Sequence, residues 1–259
     1  MPYAERPGAR IHYLASGAGP ALVLAHGAGG NRLSWWQQLP YFERHYRVVR
    51  IDHRGFGRSL CEPEAFHPRH FAGDLRAILD AEGIDRAAVV GQSMGGWTAL
   101  RTALEHPDRI SCLVLCGTPA GVLTEPVVEA AMDLAGRVRE EGVRGNAALA
   151  PDFPEREPAL ARLYDEINAL NDVPDPSMLA RLFEPEATLA PERLSELAQP
   201  TLFVAGEQDQ LFPPGALRSV AARIDGAEFE LMQGSGHSTY FEDAKNFNRI
   251  VGDFLARQG

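Results

Sequence analysis

Residues Ala87-Ala88-Val89-Val90-Gly91-Gln92-Ser93-Met94-Gly95-Gly96-Trp97 decide the fold. The apolar run Ala87–Val90 has the length and character of a strand covered on both faces, and a helical pattern opens at Met94 and continues to Glu105. A chain that passes so quickly from strand to helix must turn sharply at Ser93, holding the serine in a strained conformation with its hydroxyl outward. Gly91 and Gly95 stand two residues to either side, where a side chain would collide with the neighbouring strand or helix. In this strand–turn–helix setting the pattern marks Ser93 as a candidate nucleophile rather than an incidental serine of a glycine-rich turn.

Outward from this stretch, short apolar runs alternate with amphipathic ones, the order that builds a parallel sheet flanked by helices. Further strands are expected at Ala21–Ala25, Tyr46–Ile51, Ile110–Cys116, Thr201–Ala205 and Ala227–Met232, and helices at Phe71–Glu82, Gly215–Ile224 and Asp243–Arg257. Tyr3–Tyr13 reads as a hairpin turning at Pro7-Gly8. The rhythm breaks between Ala120 and Ala198. There the apolar residues fall at helical spacing, as Val127/Ala131/Leu134/Val138, Leu160/Leu163/Ile167/Leu170 and Met178/Leu179/Leu182/Phe183. Eight of the 19 prolines but only four of the 25 glycines lie here, with Pro126 and Pro158 at expected helix starts. The segment reads as a helical cap, residues 120–198, inserted into a core formed by residues 1–119 and 199–259. An insertion that leaves a sheet at a strand's carboxyl end stands where open α/β sheets bind ligands.

A serine hydroxyl needs an adjacent base, itself held by a third group. Of eight histidines, His237 is the choice: it lies in the small-residue loop Gly234-Ser235-Gly236-His237-Ser238 between the last strand and the last helix. His12 falls in the hairpin and His45 just before a strand, while His53, His67, His70 and His106 fall in polar loops or at helix ends, where a solvated ring is the simple expectation. The orienting acid should sit at a strand's carboxyl end. Asp209 does, in Ala205-Gly206-Glu207-Gln208-Asp209, with Glu207 as its rival. An oxyanion needs donors already in place. One is the backbone N–H of Met94, at the positive end of the helix it opens; the second is expected from Ala28, with Gly29 the rival, in His26-Gly27-Ala28-Gly29-Gly30. His26 then fixes the loop through ring hydrogen bonds. Gly27, Gly29, Trp97 and Phe212 are candidate substrate contacts, and Trp35 and Trp36 are further aromatics near these loops. Aromatics in such places are more often core. Nothing has the spacing of a metal site, a phosphate loop or a dinucleotide fingerprint.

With these residues in place, the chain resembles the α/β-hydrolase superfamily. The resemblance rests on four landmarks in order: His26-Gly27, the loop Asp52-His53-Arg54-Gly55-Phe56-Gly57-Arg58-Ser59, the turn at Ser93, and Gly206…Asp209 followed by Gly236-His237. It spans Ala21–Thr118 and Thr201–Arg257. It implies a mostly parallel sheet of about eight strands with helices on both faces, a Ser93–Asp209–His237 triad, and an Asp52–Ser59 loop that shapes the core without taking part in chemistry. Within the superfamily the chain is most similar to small cofactor-free esterases, lactonases and perhydrolase-type haloperoxidases. It differs from ring-cleavage C–C hydrolases in having Ser238 where they tend to have Trp, and from enol-lactonases in having His26-Gly27 where they tend to have a serine-containing loop. Ser93 excludes the dehalogenases and epoxide hydrolases of this fold, which use an Asp nucleophile. The implied activity is cleavage of a small carboxylic ester or lactone through an acyl-enzyme. Perhydrolase, C–C hydrolase and non-enzymatic receptor uses of the same frame remain alternatives.

Composition fits. The 259 residues carry 25 Lys and Arg against 35 Asp and Glu, a net charge of −10 that opposes binding to nucleic acid or anionic lipid. No apolar run approaches the roughly 20 residues of a membrane helix, and the first residues lack a signal-peptide pattern, so a cytoplasmic protein acting on a small molecule is expected. Its oligomeric state is open. Cys61, Cys112 and Cys116 suit neither a disulfide framework nor a zinc site. The charge is uneven: residues 120–198 hold 7 arginines and 16 acids, net −9, and the rest of the chain is net −1. A solvated outer face is the simple reading of that acidity, and disfavour of anionic substrates the sharper one.

Overall fold

The computed structural model describes residues 2–141, 147–171 and 176–258. Eight strands form one sheet: β1 (Tyr3–Arg6), β2 (Ala9–Ser16), β3 (Ala21–Ala25), β4 (Arg47–Ile51), β5 (Ala87–Gln92), β6 (Ile110–Cys116), β7 (Thr201–Gly206) and β8 (Glu228–Met232). Their spatial order is β1-β2-β4-β3-β5-β6-β7-β8. The β1–β2 hairpin, turning at Pro7-Gly8, joins antiparallel, as does β2 with β4; the remaining pairs are parallel. From β3 the chain moves outward to β4 and then back across to β5, so the order reverses between β3 and β5. A crevice opens at such a reversal, at the strands' carboxyl ends. The register Ala25↔Gly91 sets the loop after β3 directly against the turn after β5.

The longer helices are α1 (Phe71–Ala81), α2 (Gly95–Glu105), α3 (Glu125–Glu141), α4 (Pro158–Asn168), α5 (Pro176–Ala180), α6 (Pro214–Ala221) and α7 (Ala244–Ala256). Alternate strand residues feed two cores. Val23, Ala25, Val89 and Leu113 pack with Leu75 and Ile78 of α1, Leu100 of α2 and Val220 of α6. Leu22, Leu24, Val90 and Val114 pack on the other face with Trp35, Phe42 and the α7 stripe Phe247, Ile250, Val251 and Phe254. Burial on both faces is why the parallel strands read as continuous apolar runs. It also explains Cys112 and Cys116, which share the second face as small hydrophobes. Burial pushes the Cys112 thiol up to about 11 and the Cys116 thiol higher still.

Among the described residues the regular structure of residues 120–198 is helical, joined by turns and irregular loops, with one isolated bridge between Val122 and Leu189 that closes the base of the insertion. The apolar stripes fare unevenly. On α3, Val127 is buried and Ala131 and Leu134 half-buried, while the side chain of Val138 lies outside the described residues. On α4 the buried face is Ala161, Tyr164 and Ile167, and Leu163 and Leu170 are exposed. The burying face is centred on Tyr164, whose ring packs edge-on against Phe241, and Leu163 and Leu170 lie to one side of it. Two other expectations need correction. The strand through Val90 continues to Gln92, and the helix expected to open at Met94 begins at Gly95, with Met94 as its N-cap.

Candidate active site

Ser93 occupies the turn between β5 and α2 with φ +49°, the left-handed region, one of two non-glycine residues there among those described. Three hydrogen bonds hold it: its N–H donates to the Cys116 carbonyl (2.9 Å), and its own carbonyl accepts from Gly96 N (2.8 Å) and Thr118 Oγ1 (2.7 Å). The turn is possible because its flanks are glycine. A Cβ at Gly91 would fall 2.5 Å from the Gly95 carbonyl oxygen, and one at Gly95 would fall 2.1 Å from that of Ala25. Both neighbours are backbone and cannot move aside.

His237 and Asp209 come together from the last two loops. His237 Nδ1 lies 2.9 Å from Asp209 Oδ2, with both side chains almost fully buried. The other oxygen, Oδ1, accepts the N–H groups of Leu211 (2.8 Å) and Phe212 (2.9 Å), which locks the carboxylate at the start of its own loop. Asp209 therefore orients one ring nitrogen and leaves Nε2 as the other. Glu207, its rival, is exposed and accepts Gly234 N instead (2.9 Å), a loop-bracing role. Gly117, at the end of β6, supplies the floor: a Cβ there would sit 3.1 Å from His237 Nδ1 and 3.3 Å from Cε1. Since Ser93 N is bonded to the preceding residue, Cys116, the serine turn and the imidazole border the same strand end. Gly117 escaped the sequence reading because its requirement comes from a ring 120 residues away.

The loop after β3 lies against this turn; a Cβ on Gly27 would be 2.9 Å from Ser93 Cβ. Among the described residues, neither the Ala28 nor the Met94 N–H has an acceptor. His26 braces the loop from beneath, with Nδ1 against the Gly27 carbonyl (2.7 Å) and Nε2 accepting His53 N (2.9 Å). Both ring nitrogens are used in a way that requires the neutral ring, and burial lowers its pKa accordingly. Phe212 sits beside His237, ring centroids 6.0 Å apart. Trp97 is buried with Met94, Phe56, Met178 and Leu182, with Ala28 packed against that cluster. Trp35 belongs to the core against Tyr240 and Trp36 is at the surface. Gly29, at φ +83°, offers its carbonyl to Asn171 Nδ2 of the insertion (2.5 Å).

The polar loops hold surprises. His53 and His67, expected to be solvated, are buried, as is His12 of the hairpin. His12 Nδ1 pairs with Asp52 Oδ2 (2.8 Å), whose carboxylate also accepts Arg32 N (2.7 Å) and Arg58 N (3.2 Å). His53 Nε2 meets Thr98 Oγ1 (2.8 Å), and its ring stacks edge-on to His26. Arg54, buried, grips Asp74 with two nitrogens. The Asp52–Ser59 loop is thus braced throughout by buried polar contacts. The insertion reaches the same rim: Asn31 Nδ2 donates to the Ile167 carbonyl (2.8 Å), Gly57 N donates to Asn171 Oδ1 (2.8 Å), and Tyr164 Oη lies 3.0 Å from Ser238 Oγ.

Comparison with known proteins agrees with this architecture. Residues 20–244 match the model of the alpha/beta hydrolase fold, and the chain belongs to that family. The putative carbamate hydrolase RutD of Caulobacter vibrioides is 30% identical, with 95% of each chain covered. A 2-hydroxy-6-oxononadienedioate/2-hydroxy-6-oxononatrienedioate hydrolase of Paraburkholderia phymatum is also 30% identical, over 96% of this chain and 91% of its own. Among solved structures, a protein described as an N-acyl homoserine lactone degrading enzyme superposes with a TM-score of 0.84 at 27% identity, covering 98% of this chain and all of its own. No described helix is long and apolar enough to cross a membrane.

Proposed function

We propose that this hydrolase cleaves a small carboxylic ester or lactone through an acyl-enzyme. One observation carries the reading: a serine held at φ +49° on the sheet rim, beside a loop in which His237 is oriented by a fully engaged Asp209. In this scheme Ser93 Oγ attacks the carbonyl while His237 Nε2 takes its proton, and Asp209 stabilises the imidazolium. The N–H groups of Ala28 and Met94 receive the negative charge on the former carbonyl oxygen. His237 then protonates the leaving alcohol and activates water to release the acid. Residues 120–198 act as a cap, tied to the rim through Asn171, Asn31 and Tyr164.

A carbamate offers the same carbonyl to the same nucleophile, and a relative named for that activity makes it the first substrate to set beside esters and lactones. The test is stopped-flow hydrolysis of p-nitrophenyl acetate. A burst of one p-nitrophenolate per chain is expected, with steady turnover falling by about a thousandfold or more in Ser93→Ala. Turnover in Ser93→Ala near that of the unaltered protein would overturn the reading.

A further inference from the structure

Beyond the residues that would touch substrate, one buried carboxylate stands out. Glu242, in the single helical turn Thr239–Glu242 that follows the His237 loop, accepts three backbone N–H groups. Oε1 takes Gly236 (3.1 Å) and Ser238 (3.3 Å); Oε2 takes Ala150 (2.9 Å) and shares Gly236 (3.0 Å). Two of the donors are the residues immediately before and after His237. The third belongs to the insertion. No short ion pair to a cation offsets the charge among the described residues; Arg156, the cation felt there, is paired with Asp152 at 2.8 Å. Burial accordingly pushes the carboxyl above its usual range in spite of the three donors.

Why a carboxylate stands here follows from donor and acceptor counting. Three N–H groups converge from two directions, and only an ionised carboxyl accepts on both oxygens without presenting a donor of its own. A glutamine would turn its amide hydrogens toward one of them. The neighbouring geometry allows little slack: a Cβ on Gly236 would fall 2.3 Å from Ala150 N, and one on Gly206 would fall 1.9 Å from the Gly236 carbonyl oxygen. Ser238 is held again on its side chain by Tyr164 Oη.

We propose that Glu242 is a positioning residue: it fixes the backbone on both sides of His237 and joins that loop to the 149–150 segment of the insertion, so that the imidazole is aimed by its loop as well as by Asp209. This rests on the reading of His237 as the base. Displacing a reacting group by about 1 Å costs on the order of a hundredfold in rate, so removal of the clamp acts on turnover and not on binding.

The experiment measures kcat and KM for p-nitrophenyl acetate in Glu242→Gln, Glu242→Ala, Glu242→Asp and His237→Ala, with thermal melts and amide exchange at Gly236 and Ser238. The expected result is a 10–100-fold fall in kcat for Glu242→Ala with KM changed less than threefold, a smaller fall for Glu242→Gln, and faster exchange at both amides in each. If Glu242→Ala does not accumulate folded protein, Glu242→Gln carries the same test. Unchanged kcat in a folded variant, or a change confined to KM, overturns the proposal. Wild-type turnover in His237→Ala overturns the underlying reading as well, so the two failures are told apart.

Discussion

Ser93 holds a backbone conformation that costs a residue with a Cβ roughly 1–2 kcal/mol, and the surrounding hydrogen bonds maintain it. Its flanking glycines are not interchangeable with glycines elsewhere. Gly95→Ala drives a Cβ into the Ala25 carbonyl, and we expect a loss of about 3 kcal/mol or more in urea unfolding, at the upper end of overpacking costs. Gly136→Ala, in α3 with no neighbour within 4 Å, should instead gain about 0.5–1 kcal/mol from helix propensity. An equal effect of the two substitutions would refute the packing argument. Ser93, Asp209 and His237 were legible as candidates because each sits in a short pattern with a defined element on either side. Glu242 was not, because its third donor, Ala150, lies in the insertion, remote in sequence, and an acid a few residues after His237 looks like any surface acid until that donor is placed. Ala120, at φ +53°, gave no sign either; of it and its neighbour Gly121, at φ +83°, only the glycine is of the residue type that favours this region.

At the scale of elements, the Asp52–Ser59 loop is built on histidines kept neutral. Burial lowers the pKa of His12, His26 and His53, with His53 well below its ordinary value. A folded-state pKa below the unfolded 6.5 means that the unfolded chain binds more protons in between. The stabilisation is therefore fully present above about pH 6.5 and is lost as pH falls toward the folded values. Asp52, lowered by its N–H donors and neighbouring cations against the opposing pull of burial, adds a similar loss only below its ordinary 3.8. Urea midpoints should fall steadily from pH 6.5 to 5, and His53→Leu should flatten that slope by up to about 1.4 kcal/mol per pH unit. An unaltered slope would refute the assignment. These burials were hidden because polar loop sequences look solvated until the strands that cover them are placed. The face of α4 was hidden for another reason: Leu160, Leu163, Ile167 and Leu170 form as regular a stripe as Ala161, Tyr164 and Ile167, and only the position of Phe241 decides between them. The central strands suffered no such ambiguity, since strands covered on both faces announce themselves by composition.

Across the whole molecule, the charge is concentrated in the insertion, and every acidic side chain of residues 120–198 among those described is solvent exposed. That favours a solvated outer face while leaving a field around the site. At low ionic strength an anionic ester should be hydrolysed several-fold more slowly than its neutral isostere, and the gap should narrow at about 1 M salt, where the screening length drops to about 3 Å. A faster anionic ester at low salt would remove the field from the account.

The contacts of Asn171 with Gly29 and Gly57, and of Ala150 and Tyr164 with the His237 loop, bear on how such a scaffold diversifies. The insertion is not a modular attachment that can be exchanged while the core runs unaltered. A transplanted insertion would have to bring its own amide for the Gly29 carbonyl, its own donor for Glu242 and its own hydroxyl for Ser238. On the proposed roles of Glu242 and of the cap, specificity and rate are inherited together, so sequence drift in the insertion is constrained at these few anchor points and freer between them.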